Sequence, residues 1–314
     1  MKLMVLDGNS IVNRAYYGVR PLTTRDGFFT HAIFGFLTML SRLLDEEKPE
    51  ALCVAFDRRE PTFRHLEYEG YKATRHAMPE ELAMQMPVLK EVLDAMNIPR
   101  YELAGFEADD LIGTISRKCE KEGWDCVVAT GDKDSLQLVT EHTTVKLISS
   151  RMGQTTTKDM TPEAFFESYG FAPAHIVDLK ALMGDASDNI PGVPGIGEKT
   201  AVRLLTAYGT LENALENAPS MKGALKQRLL DNDAQARESK FLATIDRRAP
   251  IDFHFEACRV GDLSGGLDAM RRLKLRSLIE RVQAMKPEAP KPAEAAPAKR
   301  KSVSVEGADA LKAQ

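Results

Sequence analysis

Nine carboxylates at recurring positions set out the chemistry open to this chain of 314 residues. Asp7 follows the apolar run LMVL, Asp57 follows ALCVAF, and Asp132 and Asp134 follow CVVATG. FEADDLIG supplies Glu107, Asp109 and Asp110, while GDASDN supplies Asp185 and Asp188, three apart and on one face if that segment is helical. One aspartate among 46 acids is by default a solvated surface residue, and acids opening a helix serve as caps or dipole partners. Acids at three equivalent strand ends are harder to dismiss. Like charges a few ångströms apart raise each other's pKa, so such a cluster needs cations. Oxygen ligands without histidine or thiolate select magnesium or manganese over zinc. Two such ions, about 3.5–4 Å apart, would activate a water and stabilise the leaving oxygen in attack on a phosphodiester. The expectation is therefore two Mg2+, with Mn2+ able to substitute, and hydrolysis of nucleic acid.

The positioning elements follow from hydrophobic pattern. Residues 3–6, 51–56 and 126–129 are short, continuous apolar runs, as expected of strands buried on both faces of a parallel sheet, and 145–148 adds a fourth. Helical spacing appears over 31–45, through Phe34, Leu37 and Leu44, and over 108–122, through Leu111, Ile112 and Ile115. This alternation predicts a doubly wound α/β domain with a mostly parallel sheet. In such a sheet the ligand crevice lies beyond the carboxyl ends of the strands, where the acids fall. From Thr161 the pattern turns helical. The expected division is 1–160 as the α/β domain, 161–285 as a helical domain, and 286–314 as a Pro/Ala/Lys-rich linker or the cut-short start of a further domain.

GVPGIGEKTA invites comparison with the phosphate loop GxxxxGK[ST], but Glu198 separates Gly197 from Lys199 and a helix precedes it. The better reading is two helices joined by a tight loop. Backbone at Gly192, Gly195 and Gly197, with the following helix N-terminus and Lys199, would hold DNA phosphates without reading sequence. In YKATR, Tyr71 would stack on an unpaired base while Lys72 and Arg75 contact the reacting phosphate. RRLKLRSLIER, residues 271–281, offers either a backbone-tracking surface or a plain solvated helix face. A net charge of −4 excludes binding of nucleic acid by bulk attraction alone. Four cysteines without CxxC pairing and six scattered histidines give no zinc site, so reduced, packed thiols are expected. No apolar run reaches membrane-spanning length and no signal-peptide core forms, so a cytoplasmic protein without membrane contact is expected.

DGNSIVNRAYYG, AFDRREPTFRHLEYEGYKATR, FEADDLIGT, ATGDKDSLQLV and LKALMGDASDNIPGVPGIGEKTA closely resemble the 5′-3′ exonuclease domain of bacterial DNA polymerase I, within the flap endonuclease family. The resemblance runs from Met1 to about Val282. It implies a PIN-like domain joined to a helix-three-turn-helix region. It implies Asp7, Asp57, Glu107 and Asp109 around a first metal, with Asp110 and Asp132 close by, and Asp134, Asp185 and Asp188 around a second. The segment at Tyr71 resembles the arch that the 5′ strand passes, with Lys72 and Arg75 as its catalytic clamp. The resemblance further implies a potassium ion at the backbone carbonyls of Leu182, Met183, Pro191, Val193 and Ile196. The implied substrate is DNA with a 5′ flap or 5′ end, or an RNA primer on DNA, cut by a monomer whose chain continues into a polymerase. A stand-alone 5′ nuclease, a non-catalytic DNA-binding module and a PIN-type ribonuclease remain as alternatives.

Overall fold

Six strands build one sheet in the computed structural model, which describes residues 1–151 and 154–285. In chain order they are β1 (Lys2–Asp7), β2 (Ala51–Ala55), β3 (Arg100–Tyr101), β4 (Asp125–Thr130), β5 (Thr143–Arg151) and β6 (Gln154–Met160). Their spatial order is β3-β2-β1-β4-β5-β6, parallel throughout except for the β5–β6 pair. The winding reverses between β1 and β4, the kind of switch point where open α/β sheets place their ligands. The apolar runs are β1, β2, β4 and the middle of β5. Two strands escaped that reading. β3 is two residues long, and β6 (QTTTKDM) is a threonine-rich antiparallel edge whose stability comes from β-branched pairing rather than an apolar run.

The helices are α1 (Gly8–Gly18), α2 (His31–Glu47), α3 (Phe63–Glu67), α4 (Glu80–Ala95), α5 (Ala108–Glu122), α6 (Pro162–Tyr169), α7 (Ile176–Met183), α8 (Glu198–Tyr208), α9 (Leu211–Glu216), α10 (Gly223–Asp231), α11 (Asp233–Ala243), α12 (Leu267–Arg272) and α13 (Arg276–Ala284). α5 begins where Glu107 and Asp110 form a reciprocal capping box and stops at Gly123, whose φ of 68° lies in the left-handed region. Strand gives way to helix between Met160 and Pro162, where the Thr161 side chain caps α6. The stretch 286–314, read as a linker, lies outside the described residues.

Each face of the sheet carries its own apolar cluster. On one face Leu3, Val5, Cys53 and Val128 meet Leu111, Ile112 and Ile115 of α5, and the same cluster runs on into Leu204 of α8 and Leu215 of α9. On the other, Met4, Leu6 and Val54 meet Phe36 and Leu40 of α2, Val92 of α4, and Met270, Leu278 and Val282 of α12 and α13. Each such side chain removed from water contributes about 1.5–3 kcal/mol, so α12 and α13 are fixed to the α/β body rather than to the helices before them. In 271–281, Leu275 and Leu278 are core, Arg271 pairs with Asp268, and Arg281 pairs with Asp45 at 2.6 Å. The exposed cations of this stretch, Arg271, Arg272, Lys274 and Arg276, fit both readings. All four cysteines are free and buried. Among the described residues no helix is long and apolar enough to cross a membrane.

Candidate active site

The acid centre is assembled from the carboxyl ends of β1, β2 and β4. Asp7 ends β1 and caps α1, its Oδ1 accepting from the Ser10 N–H at 2.9 Å. Its Oδ2 accepts from the Thr130 hydroxyl at 2.7 Å, which ties the ends of β1 and β4 together. The same hydroxyl accepts from the Asp132 N–H at 2.9 Å, and Asp132 Oδ1 accepts from the Asp134 N–H at 2.9 Å. Asp57, just past β2, accepts from the Ala108 N–H at 2.8 Å and so lies against the start of α5. Asp109, in the first turn of α5, accepts from the Ser135 hydroxyl at 3.1 Å.

Asp7 is buried, Asp109, Asp132 and Asp134 are half-buried, and Asp57 keeps an exposed edge, but the group is crowded by its own charges. Burial, with added repulsion from Asp57 and Asp132, pushes Asp7 up to about 7. Burial and Asp132 push Asp134 up to about 7 even though Lys180 draws it down. Burial, then Asp132, Asp7 and Asp134, raises Asp109 well above the carboxylate range, and burial raises Asp57. Every group in the cluster offers hard oxygen, so the donor chemistry fits Mg2+ or Mn2+ and not a zinc-type site. Among the described residues no three carboxylate, imidazole or thiolate groups are spaced to share one ion as they stand. Amines and guanidinium groups carry the neutralising charge instead.

Lys180 of α7 is one of these, and the sequence reading missed it. Its ammonium reaches both Asp134 and, at 2.5 Å, Asp185 Oδ2. Burial alone would raise Asp185, but Lys180 and Ser187 more than offset that and hold it down to about 2. Lys72 donates to Glu107 Oε1 at 2.8 Å and lies 3.8 Å from Asp188, while Arg75 is bonded to Asp188. Burial works against the charge on Lys72, yet Glu107 and Asp188 outweigh it and raise its pKa. The only sequence signal for Lys180 was a lone cation five residues before Asp185 in a segment whose acids needed a counter-charge.

Four expectations are corrected by the geometry. Asp185 and Asp188 do not share a helical face: they sit in a turn closed by reciprocal Asp185–Ile190 backbone bonds of 2.9 and 2.8 Å, with Asn189 at φ 56°. Asp110 does not face the acid crevice. It is fully buried, both oxygens are taken by Arg64 at 2.7 and 2.9 Å, and the Glu107 and Asp246 N–H groups complete its shell, leaving nothing for an ion. Tyr71 is not an exposed stacking ring. It is 3% exposed and donates to Glu107 at 3.1 Å, with Asp188 at 3.4 Å, so in this conformation it positions two acids. Gly192 is buried, donating to the Ser239 hydroxyl at 3.0 Å and accepting from Gln235 at 2.6 Å, so it presents no N–H to a phosphate.

The other two glycines of the loop are at the surface, while Val193 and Ile196 beside them are buried. Gly195, Gly197 and Lys199 are exposed at the start of α8, where first-turn N–H groups lack intrahelical partners. Arg228 of α10, also unforeseen, donates to the Gly195 carbonyl at 2.8 Å and adds a cation to that surface. Leu182, Met183, Pro191, Val193 and Ile196 border the same α7–α8 turn, in which the Leu182 and Val193 carbonyls accept from the N–H groups of Val193 and Ile196 at 2.8 and 3.0 Å.

Comparison with known proteins places this arrangement. Residues 2–170 match the family described as 5′-3′ exonuclease, N-terminal resolvase-like domain, and residues 171–265 match 5′-3′ exonuclease, C-terminal SAM fold. The chain is 43% identical over 294 residues to DNA polymerase I of Bacillus caldotenax, covering 93% of this chain and 33% of that protein. It is 46% identical over 252 residues to DNA polymerase I of Bacillus subtilis strain 168, covering 80% and 28%. The chain thus spans about a third of the length of these relatives. Among solved structures, the T5 D15 protein co-crystallised with metal ions has the same fold, with a TM-score of 0.63 at 19% identity over 90% of this chain and 97% of that one. The catalytic core of Rad2 in complex with DNA substrate follows at 0.58 and 16%, over 91% and 92%. With both of its parts matched and relatives above 40% identity along most of its length, the chain belongs to the 5′-3′ exonuclease family, in the form found in DNA polymerase I.

Proposed function

We propose that this chain is a divalent-metal-dependent 5′ nuclease that hydrolyses DNA phosphodiesters at 5′ ends and flap junctions, removing flaps or RNA primers in replication and repair. The observation that carries this is the meeting of Asp7, Asp57, Asp109, Asp132 and Asp134 at the switch point of the sheet, where Asp7 is buried, Asp109, Asp132 and Asp134 are half-buried, and burial and neighbouring acids raise the pKa of Asp7, Asp109 and Asp134. Support comes from the shared fold of the T5 protein crystallised with metal ions and of Rad2 crystallised with DNA. Two Mg2+ held there, with Mn2+ able to replace them, would supply Lewis-acid stabilisation of the phosphoryl oxygens and lower the pKa of the attacking water. Asp7, Asp57, Glu107, Asp109 and Asp132 form the first ligand neighbourhood, and Asp134, Asp185 and Asp188 the second. Lys72 and Arg75, released from Glu107 and Asp188, clamp the scissile phosphate, and Tyr71 orients Glu107. Gly195, Gly197, Lys199 and the α8 N-terminus hold duplex phosphates. The carbonyls bordering the α7–α8 turn take K+, so replacing K+ by choline weakens duplex binding.

In this reading residues 1–160, with α12 and α13 packed back onto them, are the nuclease body, and the helices from α6 to α11 are the duplex-binding part of a monomeric cytoplasmic enzyme whose chain continues into a polymerase, as the longer relatives do. The test is release of short products from a 5′-labelled flap duplex in Mg2+. Cleavage is expected to vanish in EDTA and to fall about 100-fold or more in Asp109→Asn, the scale set by losing one transition-state charge contact. Binding without cleavage would leave a DNA-binding module, and preference for an RNA hairpin over the DNA flap would leave a ribonuclease.

A further inference from the structure

Behind the acid centre, on the far side of Arg64, lies a cavity of about 570 Å³ walled by α3, α5 and the segment after α11. Phe63 and Phe241 form its aromatic wall, with ring centroids 5.8 Å apart, and Phe241 is 45% exposed. Arg117, Arg247 and Arg248 line it as well. Its acids are already taken: Glu120 accepts from Arg247 at 2.9 Å and from the Thr140 hydroxyl at 2.9 Å, and Asp246 accepts from the Arg248 N–H at 2.8 Å. The Arg248 side chain is 79% exposed and only 3.9 Å from Asp246 at its nearest, so its guanidinium is available to a ligand.

We propose that this cavity binds a nucleotide of single-stranded DNA, the base against Phe63 and Phe241 and the phosphate on Arg248 with Arg117. The volume lies in the roughly 300–1,000 Å³ range of small-ligand sites. Flat aromatic rings beside guanidinium groups are what an unpaired base and its phosphate require, whereas a duplex keeps its base faces covered. Position favours the displaced strand as occupant. The Arg64 guanidinium lies 4.5 Å over the ring of Phe63, a cavity residue, and reaches Glu107 at 3.4 Å, so one buried side chain links the cavity's aromatic wall to the acid centre. The inference rests on the nuclease reading for its biological setting, but its binding test does not.

Hexathymidylate carrying a fluorophore is titrated with the whole chain in EDTA and followed by anisotropy. Phe241→Ala is expected to weaken binding about 5- to 150-fold, the loss of one stacked base. Arg248→Ala is expected to lower the slope of log affinity against log salt by about 0.7, the loss of one single-strand phosphate contact. Arg271→Ala, on α12 away from the cavity, is expected to change neither. Both cavity variants should cut a nicked duplex without overhang as the wild type does. Unchanged hexathymidylate affinity in both variants, or none in the wild type, overturns the proposal and leaves the aromatic wall as a face for a protein partner. Should Phe241→Ala fail to fold, the exposed Arg248 variant decides alone. A wild type that binds the strand but never cleaves duplex refutes the nuclease reading and not this one.

Discussion

Arg64 shows how one side chain serves both stability and the site. It is 2% exposed, bidentate to Asp110, and its other donors reach the Leu242 and Thr244 carbonyls. A buried pair of this kind gains little over apolar packing, but removing one partner strands a charge, at a cost of about 3–5 kcal/mol. Arg64→Ala is therefore expected to lower the unfolding free energy by that amount in urea denaturation, and Asp110→Ala added to it to recover part of the loss. A double variant no more stable than the single one would show that the pair is not what Arg64 contributes. Because Arg64 also touches Glu107 at 3.4 Å, the single variant is expected to lose cleavage as well.

At the scale of elements, the α7–α8 turn carries two acids and the glycine loop proposed to hold duplex phosphates, and its path depends on close backbone approach. Gly192 has φ 62°, and a Cβ there would come within 2.1 Å of the Gly184 nitrogen, which cannot yield. Gly197 has φ −100° and nothing within 4 Å. Gly192→Ala is expected to open the turn, seen as faster amide exchange at Asp185 and Ile190 and as loss of cleavage, whereas Gly197→Ala leaves the thermal midpoint within about 2 °C, as for a change well under 1 kcal/mol. Equal exchange rates in the two variants would mean that the turn is not held by this contact.

Across the molecule, the acid centre makes stability depend on pH and metal. Asp7 and Asp134 are held near pKa 7 when folded against 3.8 when unfolded. Between those values the folded chain carries more protons, so without metal these two groups make stability fall as pH rises from about 4 to 7. Asp185, at about 2 when folded, acts oppositely: its contribution is full above 3.8 and is lost as pH falls toward 2. Ions that replace those protons stabilise the folded state by mass action. Mg2+ is accordingly expected to raise the thermal midpoint clearly at pH 8 and little at pH 5, read by differential scanning fluorimetry in EDTA and in excess Mg2+. An equal shift at both pH values would detach the ions from these carboxylates.

The sequence by itself determined four of the six strands and the edge at which chemistry is possible. Apolar runs of four to six residues with an acid or glycine close behind are too short for buried helices and read as buried strands, parallel strands present their carboxyl ends on one side, and Asp7, Asp57 and Asp132 follow such runs. It could not separate Asp109 from Asp110, because neighbours on a helix diverge by about 100°, and only packing against α3 and the segment after α11 sends one to the crevice and the other to Arg64. Nor could spacing show that Asp185 and Asp188 lie in a turn, that Tyr71 is buried beneath Ile190 and Leu242, or that Lys180 reaches two acids. Local periodicity encodes which face of an element is apolar. Most of the charges that meet lie far apart in the chain, Lys72 and Glu107 by 35 positions and Arg75 and Asp188 by 113, and those contacts exist only once the chain has closed on itself.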